Sequence, residues 1–188
     1  DSGNYHYMSL LWLKKVHRPF RLLVFDNHTD MQPPAFGGLL SCGGWAAEAL
    51  KALPFLKELI LVGPDRNACE QTEEEIRNKV RFLSRESLRE MTEQHKKTFF
   101  EEISNDLPLY ISVDKDVLRP GDAVTAWSQG DMKVQELEAA LRAVCRHQSP
   151  AGMDVCGECD AGEDGICNDR VNGMLLNVWK DWRDSHEK

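Results

Sequence analysis

The sequence has no excess of positive charge and no long apolar run. Its 23 Lys and Arg residues are outnumbered by 31 Asp and Glu residues, which gives a net charge of −8 and a pI of about 5.3. Nucleic acids and anionic membranes attract basic proteins, so neither is expected as a partner. No apolar segment approaches the roughly 20 residues that a membrane-spanning helix needs.

Cysteines are few and unevenly spaced, six in 188 residues. A chain of this length can bury a sufficient core without disulfide bonds. The N-terminus also lacks the basic stretch followed by an apolar run that marks a signal peptide. We therefore expect reduced cysteines and a cytoplasmic protein. One Cys-x-x-Cys motif, Cys156–Cys159, could bind zinc or act in redox chemistry with Cys167, but no second such motif and no nearby His accompanies it.

Apolar runs of strand length alternate with helical patterns along the chain. Strands are predicted at 21–26, 58–62, 80–83, 109–113 and 152–156, and helices at 9–16, 45–53, 86–103, 134–147 and 168–182. Such alternation predicts an α/β fold, a mostly parallel sheet covered by helices on both faces in three α/β/α layers. We expect a single domain spanning residues 1–188.

Acidic side chains follow two of the predicted strands. Asp26, His28 and Asp30 alternate directly after the apolar run at 21–25, so extended backbone would place them on one face. Asp114 and Asp116 follow the strand at 109–113 in the same way. Ligands of parallel sheets gather at the carboxyl ends of the strands, so both clusters are expected at one edge.

These five side chains are suited to divalent metal ions. A carboxylate-rich set with imidazole favours Mn, and a single zinc usually takes only three protein ligands. Four carboxylates in one cavity would repel one another, which favours two ions with Asp26 and Asp114 as bridging ligands. The alternative is that these acids are helix N-caps or turn formers, a common role for Asp after a strand.

The segments Asp26-Asn-His-Thr-Asp30 and Ser112-Val-Asp-Lys-Asp116 resemble the two central metal signatures of the arginase/agmatinase (ureohydrolase) family. The resemblance implies an arginase/deacetylase-like α/β fold, a binuclear manganese centre and hydrolysis of guanidino or related C–N bonds. His6, in Gly3-Asn-Tyr-His6, matches the family's upstream His ligand. Glu158 matches the late acidic residue that contacts a substrate guanidinium.

By this resemblance, one Mn²⁺ would be held by His6, Asp26, Asp30 and Asp114, and a second by Asp26, His28, Asp114 and Asp116. Asp30 would also orient a hydroxide bridging the two ions, and Glu158 would pair with a small cationic substrate. The hydroxide would attack the carbon of a guanidino, amidino or amide group.

The family's proton-shuttling His is missing from the loop at 37–44, where Cys42 is the nearest reactive group. Trp45 and Trp127 lie near the predicted site and could line a substrate pocket. Two other functions remain open: a zinc-dependent deacylase on the same fold, using Asp26, His28 and Asp114 for one Zn²⁺, and a non-catalytic metal-binding or binding module. A homo-oligomer is also possible.

Overall fold

The computed structural model describes residues 2–34, 37–159 and 165–186. Within these residues, five strands form one sheet in the order β3-β2-β1-β4-β5, and every neighbouring pair is parallel. The strands are β1 (Phe20–Phe25), β2 (Leu56–Val62), β3 (Val80–Leu83), β4 (Leu109–Asp114) and β5 (Pro150–Cys156). The predicted mostly parallel sheet is confirmed.

Helices occupy the connections between the strands, as parallel crossovers require, and one further helix precedes β1 and another follows β5. They are α1 (Ser9–Leu13), α2 (Trp45–Ala52), α3 (Arg66–Gln71), α4 (Glu74–Arg77), α5 (Arg85–Glu90), α6 (Glu93–Glu101), α7 (Val134–Cys145) and α8 (Ile166–His186). Short 3₁₀ turns cover Gly3–Met8, Cys42–Gly44 and Lys115–Val117. In the described part of the chain, no helix combines the length and apolarity needed to cross a bilayer.

Two apolar cores lie on opposite faces of the sheet. Alternate residues of β1 divide between them: Leu22 and Val24 pack with α1 and α2, whereas Leu23 and Phe25 pack with α6, α7 and α8. All six residues of β1 are buried, and so are all six of β4. Burial on both faces explains why these central strands are nearly continuous apolar runs, and it confirms the three-layer arrangement.

The helix predicted at 86–103 is two helices, α5 and α6, separated at Met91 and Thr92. Met91 is extended with ψ of 142°, and Thr92 caps α6 by accepting a hydrogen bond from the His95 amide at 3.2 Å. A Thr hydroxyl competes well for free amides at a helix start. The apolar residues before the break, Leu88 and Met91, share one helical face with Phe99 and Ile103 after it, so the pattern does not reveal the break.

Candidate metal centre

The centre lies where the two central strands end. Because β1 and β4 are paired neighbours, with Phe25 opposite Val113, the acids that follow both residues come together at the carboxyl edge of the sheet. Asp26 and Asp114 are 1% and 3% exposed. Two buried carboxylates side by side are costly without a compensating cation.

The first group of ligand atoms surrounds the ring of His6, which the N-terminal 3₁₀ turn places above the strand ends. His6 Nδ1 lies 3.2 Å from Asp26 Oδ2, 3.3 Å from Asp30 Oδ2 and 3.4 Å from Asp114 Oδ2. His6 is 1% exposed. These four residues are the set expected for the first ion.

The second group contains His28, Asp26 and Asp116. His28 Nδ1 lies 2.9 Å from Asp116 Oδ2 and 3.5 Å from Asp26 Oδ1. Its Nε2 lies 2.9 Å from Ser128 Oγ, so a neighbouring loop holds the other side of the ring. Asp26 therefore turns one oxygen toward each His, the arrangement that a bridging carboxylate needs. Asp114 turns only Oδ2 toward the first group, and its Oδ1 accepts a hydrogen bond from the Asp116 amide at 2.9 Å.

Two buried polar atoms at the middle of the centre have no hydrogen-bond partner among the described residues: His6 Nδ1 and Asp26 Oδ2. Buried polar groups are nearly always hydrogen-bonded, so an unsatisfied pair of a nitrogen and a carboxylate oxygen calls for an explanation. A divalent cation coordinated by both atoms supplies one. The donor set of carboxylates and imidazoles fits such an ion.

Burial and neighbouring charges shift the protonation equilibria of the side chains at the centre. Burial, together with the charges of Asp30 and Asp116, raises the pKa of Asp26 well above its usual value. Burial and the Asp116 charge raise the pKa of Asp114 to about 6. Burial alone would lower the pKa of His6, but the adjacent Asp26 and Asp30 raise it well above 6.5. Carboxylates packed this closely favour a compensating positive charge, which protons or metal ions can supply.

Two of these acids also form turns, as the alternative interpretation of the sequence predicts. Asp26 Oδ1 accepts a hydrogen bond from the His28 amide at 2.6 Å, as Asp114 Oδ1 does from the Asp116 amide. The two interpretations therefore hold together: local turns fix the carboxylates, and the remaining oxygens face the centre. Asp30 has a φ of 50°, a left-handed conformation that costs most residues roughly 1–2 kcal/mol and that Asp tolerates.

Side chains beneath the ligands orient them. Trp45 is fully buried, donates a hydrogen bond from Nε1 to Asp30 Oδ2 at 2.7 Å, and lies against the His6 ring with centroids 4.6 Å apart. Trp45 is thus a support beneath the centre, and Trp127 lines the cavity above it. The spacing of Trp45 from Asp30 gave no sign of this contact.

A second support holds the far side of His6. Its Nε2 lies 3.0 Å from Ser112 Oγ, and Ser112 donates to Asp154 Oδ1 at 2.7 Å. Ser9 and Tyr110 also donate to Asp154, at 3.0 and 2.8 Å. Because the Ser112 proton is given to Asp154, Ser112 accepts from His6 Nε2, which leaves Nδ1 for the carboxylates and a cation.

A cavity of about 650 Å³ opens onto the centre. Its lining includes five of the candidate ligands, which are Asp26, His28, Asp30, Asp114 and Asp116. Cys42 and Trp127 line it as well, and Trp127 packs edge-on against His28 with ring centroids 6.0 Å apart. A cavity of about 710 Å³ lies between α6 and α7, but its lining contains none of the candidate ligands.

Glu158 is not brought to this cavity. Its carboxylate pairs with Lys115 Nζ and accepts hydrogen bonds from the amides of Asn168 and Asn172, both at 3.0 Å. Strand alternation would put Glu158 on the same side as Asp154, but Gly157 has a φ of 84° and turns the chain away. The substrate contact expected of Glu158 therefore stays a prediction without a supporting contact.

A thiol adjoins the first group of ligands. Cys156 is 3% exposed, and its Sγ donates to Asp114 Oδ2 at 3.0 Å. The ligand atoms of His6, Asp114 and Cys156 all lie within 4.8 Å of one another. Among the described residues, no comparable group joins Cys156 to Cys159 or Cys167. The Cys-x-x-Cys motif thus points its first sulfur to the centre rather than to its second cysteine.

Comparison with known proteins matches most of the chain. A family model described as "Arginase family" matches residues 6–159. An uncharacterised protein of Thermotoga maritima is 32% identical over 162 residues, which is 85% of this chain and 56% of that protein.

Solved structures of low sequence identity share the fold. Proclavaminate amidino hydrolase from Streptomyces clavuligerus superposes with a TM-score of 0.79 at 19% identity, covering 97% of this chain and 62% of that one. Agmatine ureohydrolase of Thermoplasma volcanium gives a TM-score of 0.75 at 15% identity, covering 96% of this chain and 62% of that one. The chain thus spans somewhat more than half the length of the proteins it matches.

Proposed function

Because the chain belongs to the arginase family, we propose that it is a metal-dependent hydrolase of a linear C–N bond in a guanidino, amidino or amide compound, with two Mn²⁺ ions in the centre. One observation carries the proposal. Asp26 turns its two oxygens toward two different histidines, and two facing atoms, His6 Nδ1 and Asp26 Oδ2, are buried without hydrogen bonds. The six unpaired cysteines are compatible with the cytoplasm.

In this proposal His6, Asp26, Asp30 and Asp114 hold one ion, and Asp26, His28, Asp114 and Asp116 hold the other. Two divalent ions supply activation of a water molecule near neutral pH and stabilisation of the negative charge that develops during attack on a planar carbon. Asp30, fixed by Trp45, orients the attacking water.

In this proposal Cys42 acts as the general acid that donates a proton to the leaving nitrogen. It lines the cavity, and burial together with the charge of Asp30 raises the pKa of its thiol, so the proton is retained at neutral pH. A protonated thiol has a proton to give, but its raised pKa makes it a weaker acid than a group that titrates near neutral pH, so this role predicts slow proton transfer. We expect Cys42→Ser to keep part of the activity and Cys42→Ala to lose more of it, with metal content equal in both.

Two metals are favoured over one zinc by the way the ligands separate. The zinc alternative uses only Asp26, His28 and Asp114, and it leaves His6, Asp30 and Asp116 without an ion although they complete one group around His6 and another around His28. Each group offers at least three ligand atoms, enough for an ion of its own.

The decisive experiment counts bound ions per chain after reconstitution with Mn²⁺ and removal of excess metal. Wild type should retain two ions, Asp116→Ala one, and Asp26→Ala none, because Asp26 serves both positions. If Asp26→Ala retains two ions, the shared-carboxylate arrangement is wrong. One tight Zn²⁺ in wild type, with no Mn²⁺ bound, would support the deacylase instead.

Substrate class is tested separately. The metal-loaded protein is incubated with a panel of guanidino, amidino and acylated amine compounds, and release of urea, ammonia or acetate is measured. Activity that disappears with Asp26→Ala supports the proposed hydrolase. Two bound ions without release from any of these compounds would support the non-catalytic metal-binding alternative.

A further inference from the structure

We propose that the thiolate of Cys156 is a ligand of the first metal position, together with His6 and Asp114, and that this position therefore selects Zn²⁺ or Co²⁺ over Mn²⁺. The inference rests on the proposed metal centre, adds a sulfur donor to it and changes the metal preferred at its first position, which Mn²⁺ fills only when neither Zn²⁺ nor Co²⁺ is present. Its consequence is a mixed centre, with one sulfur-containing position and one position built from carboxylates and His28.

The position of Cys156 is set by the sheet. Its backbone is paired with Asp114 at the end of β4, so the two side chains leave neighbouring strands at the same level. The thiol is 3% exposed and donates to Asp114 Oδ2 at 3.0 Å. That same oxygen lies 3.4 Å from His6 Nδ1.

An independent observation marks the space beside the thiol as a ligand position. His6 Nδ1 is buried, faces Asp114, and has no hydrogen-bond partner among the residues that the structure covers. Its ring cannot turn this nitrogen away without breaking the contact of Nε2 with Ser112. An imidazole nitrogen fixed in this way is typical of a metal ligand with an orienting partner.

The spacing of the three donors fits a zinc-type ion. Sulfur, nitrogen and oxygen ligands of tetrahedral zinc stand roughly 3.3–3.6 Å apart, given their bond lengths. The three atoms here all lie within 4.8 Å of one another. Binding removes the thiol proton, which is released to solvent, and the sulfur–oxygen contact widens slightly as the hydrogen bond is replaced.

The metal preference of this position follows from its sulfur ligand, because a thiolate is a soft, polarisable donor. Thiolate ligands favour zinc and its neighbours in the first transition row, whereas carboxylate and imidazole sets accept Mn²⁺. Around His28, the nearest ligand atoms are carboxylate oxygens of Asp26 and Asp116. The two positions therefore differ in donor chemistry although they share Asp26.

Cobalt substitution tests this assignment. The metal-free protein is titrated with Co²⁺, and the absorption spectrum is recorded for wild type, Cys156→Ser and the matched control Cys159→Ser. Wild type and Cys159→Ser should show the intense near-ultraviolet charge-transfer band of a thiolate bound to Co²⁺. Cys156→Ser should lose that band and keep the weak visible bands of cobalt held by oxygen and nitrogen.

Each other outcome overturns a distinct claim. Bound Co²⁺ without a thiolate band in wild type overturns the role of Cys156 and leaves the metal centre intact. A band that is lost in Cys159→Ser but kept in Cys156→Ser would show that the sulfur ligand is Cys159 and not Cys156. No binding of Co²⁺, Mn²⁺ or Zn²⁺ by wild type overturns the proposed centre itself.

Metal preference gives a second readout. The protein is equilibrated with equal concentrations of Zn²⁺ and Mn²⁺, and the bound ratio is measured. We expect that ratio to fall at least tenfold in Cys156→Ser. If Cys156→Ser does not fold, Cys156→Ala serves the same comparison, and an unchanged ratio in a folded variant contradicts the proposal.

Discussion

Lys115 is the least expected residue of the second acidic motif. It stands between two candidate ligands in the sequence and is fully buried. Its ammonium group forms an ion pair with Glu158 and donates a hydrogen bond to Asn172 Oδ1 at 3.2 Å. A buried charge that loses its partner is strongly destabilising. Glu158 therefore anchors Lys115 and joins the metal motif to α8.

The ion pair has a pH signature. Partial burial would raise the pKa of Glu158, but Lys115 and the amides of Asn172 and Asn168 outweigh it and lower the pKa to about 2, against an ordinary value of 4.5. A lowered folded-state pKa stabilises the protein above pH 4.5, and this stabilisation disappears as the pH falls through about 2.

Glu158→Gln should therefore lower the melting temperature at pH 7, and its difference from wild type should shrink between pH 4.5 and 2. Thermal denaturation across this range measures the effect. Glu102→Gln, at an exposed position, should show no such pH-dependent difference. A difference that stays constant from pH 7 to pH 2 would contradict the role of the ion pair.

Trp45 orients a proposed ligand through one hydrogen bond, to Asp30. Loss of an orienting partner typically lowers metal affinity about 10- to 100-fold. We expect Trp45→Phe to lower Mn²⁺ affinity by this factor in calorimetric titration. Trp182→Phe is the control, since Trp182 is equally buried but bonds Gln148 on the other face of the sheet. Equal affinities in both variants would refute the orienting role.

Individual residues differ in how far sequence could place them. The candidate ligands of the two acidic motifs gather as predicted, because parallel strands align their carboxyl ends. They are Asp26, His28, Asp30, Asp114 and Asp116. His6 came from a family resemblance, since nineteen residues of chain separate it from Asp26. The sequence suggests Cys156 only as part of a Cys-x-x-Cys site and Trp45 only as a pocket residue. Their contacts with the centre, and the burial of Lys115, cross between elements and leave no periodic signal.

At the scale of elements, the turn after β5 decides which side chain reaches the centre. Gly157 has a φ of 84°, and a Cβ there would collide with Asp114 Oδ1 and lie 2.7 Å from the Lys115 amide nitrogen. Sequence shows a glycine but not the sign of its φ. The substrate contact that the family resemblance implies for Glu158 therefore stays a prediction, whereas the strand predicted at 152–156 is present as β5.

Gly157→Ala is expected to be more harmful than Gly121→Ala. Both glycines have positive φ, at 84° and 93°, so both variants incur roughly 1–2 kcal/mol of backbone strain. Nothing lies within 4 Å of a Cβ at Gly121. Urea denaturation should show the larger loss for Gly157→Ala, and only that variant should bind metal more weakly. Equal losses with unchanged metal binding would contradict the close approach.

At the scale of the whole molecule, the sheet and its two cores were predictable because burial on both faces produces continuous apolar strands. The single domain expected over residues 1–188 stays a prediction. The proposed centre connects parts of the chain that are far apart in sequence: His6, the end of β1 and the end of β4. A bound ion would stabilise all of these contacts at once.

Metal removal should therefore lower global stability. At a free metal concentration one hundred times the dissociation constant, binding to the folded state alone adds about 2.7 kcal/mol. For a chain of this size, that corresponds to roughly 5–11 °C in melting temperature. Calorimetry with Mn²⁺ and with a chelator measures the shift, and Asp26→Ala should show none. An equal shift in that variant would place the ion elsewhere.

The shared carboxylate of Asp26 has a consequence for how the centre fills. Once an ion on the His6 side has neutralised part of the negative charge, Asp26 is already ionised and oriented for the His28 side, although two neighbouring cations also repel. The balance between these effects sets the sign of cooperativity between the two sites. With four carboxylates near one another, we expect the first effect to prevail, so that singly loaded molecules are scarce during titration.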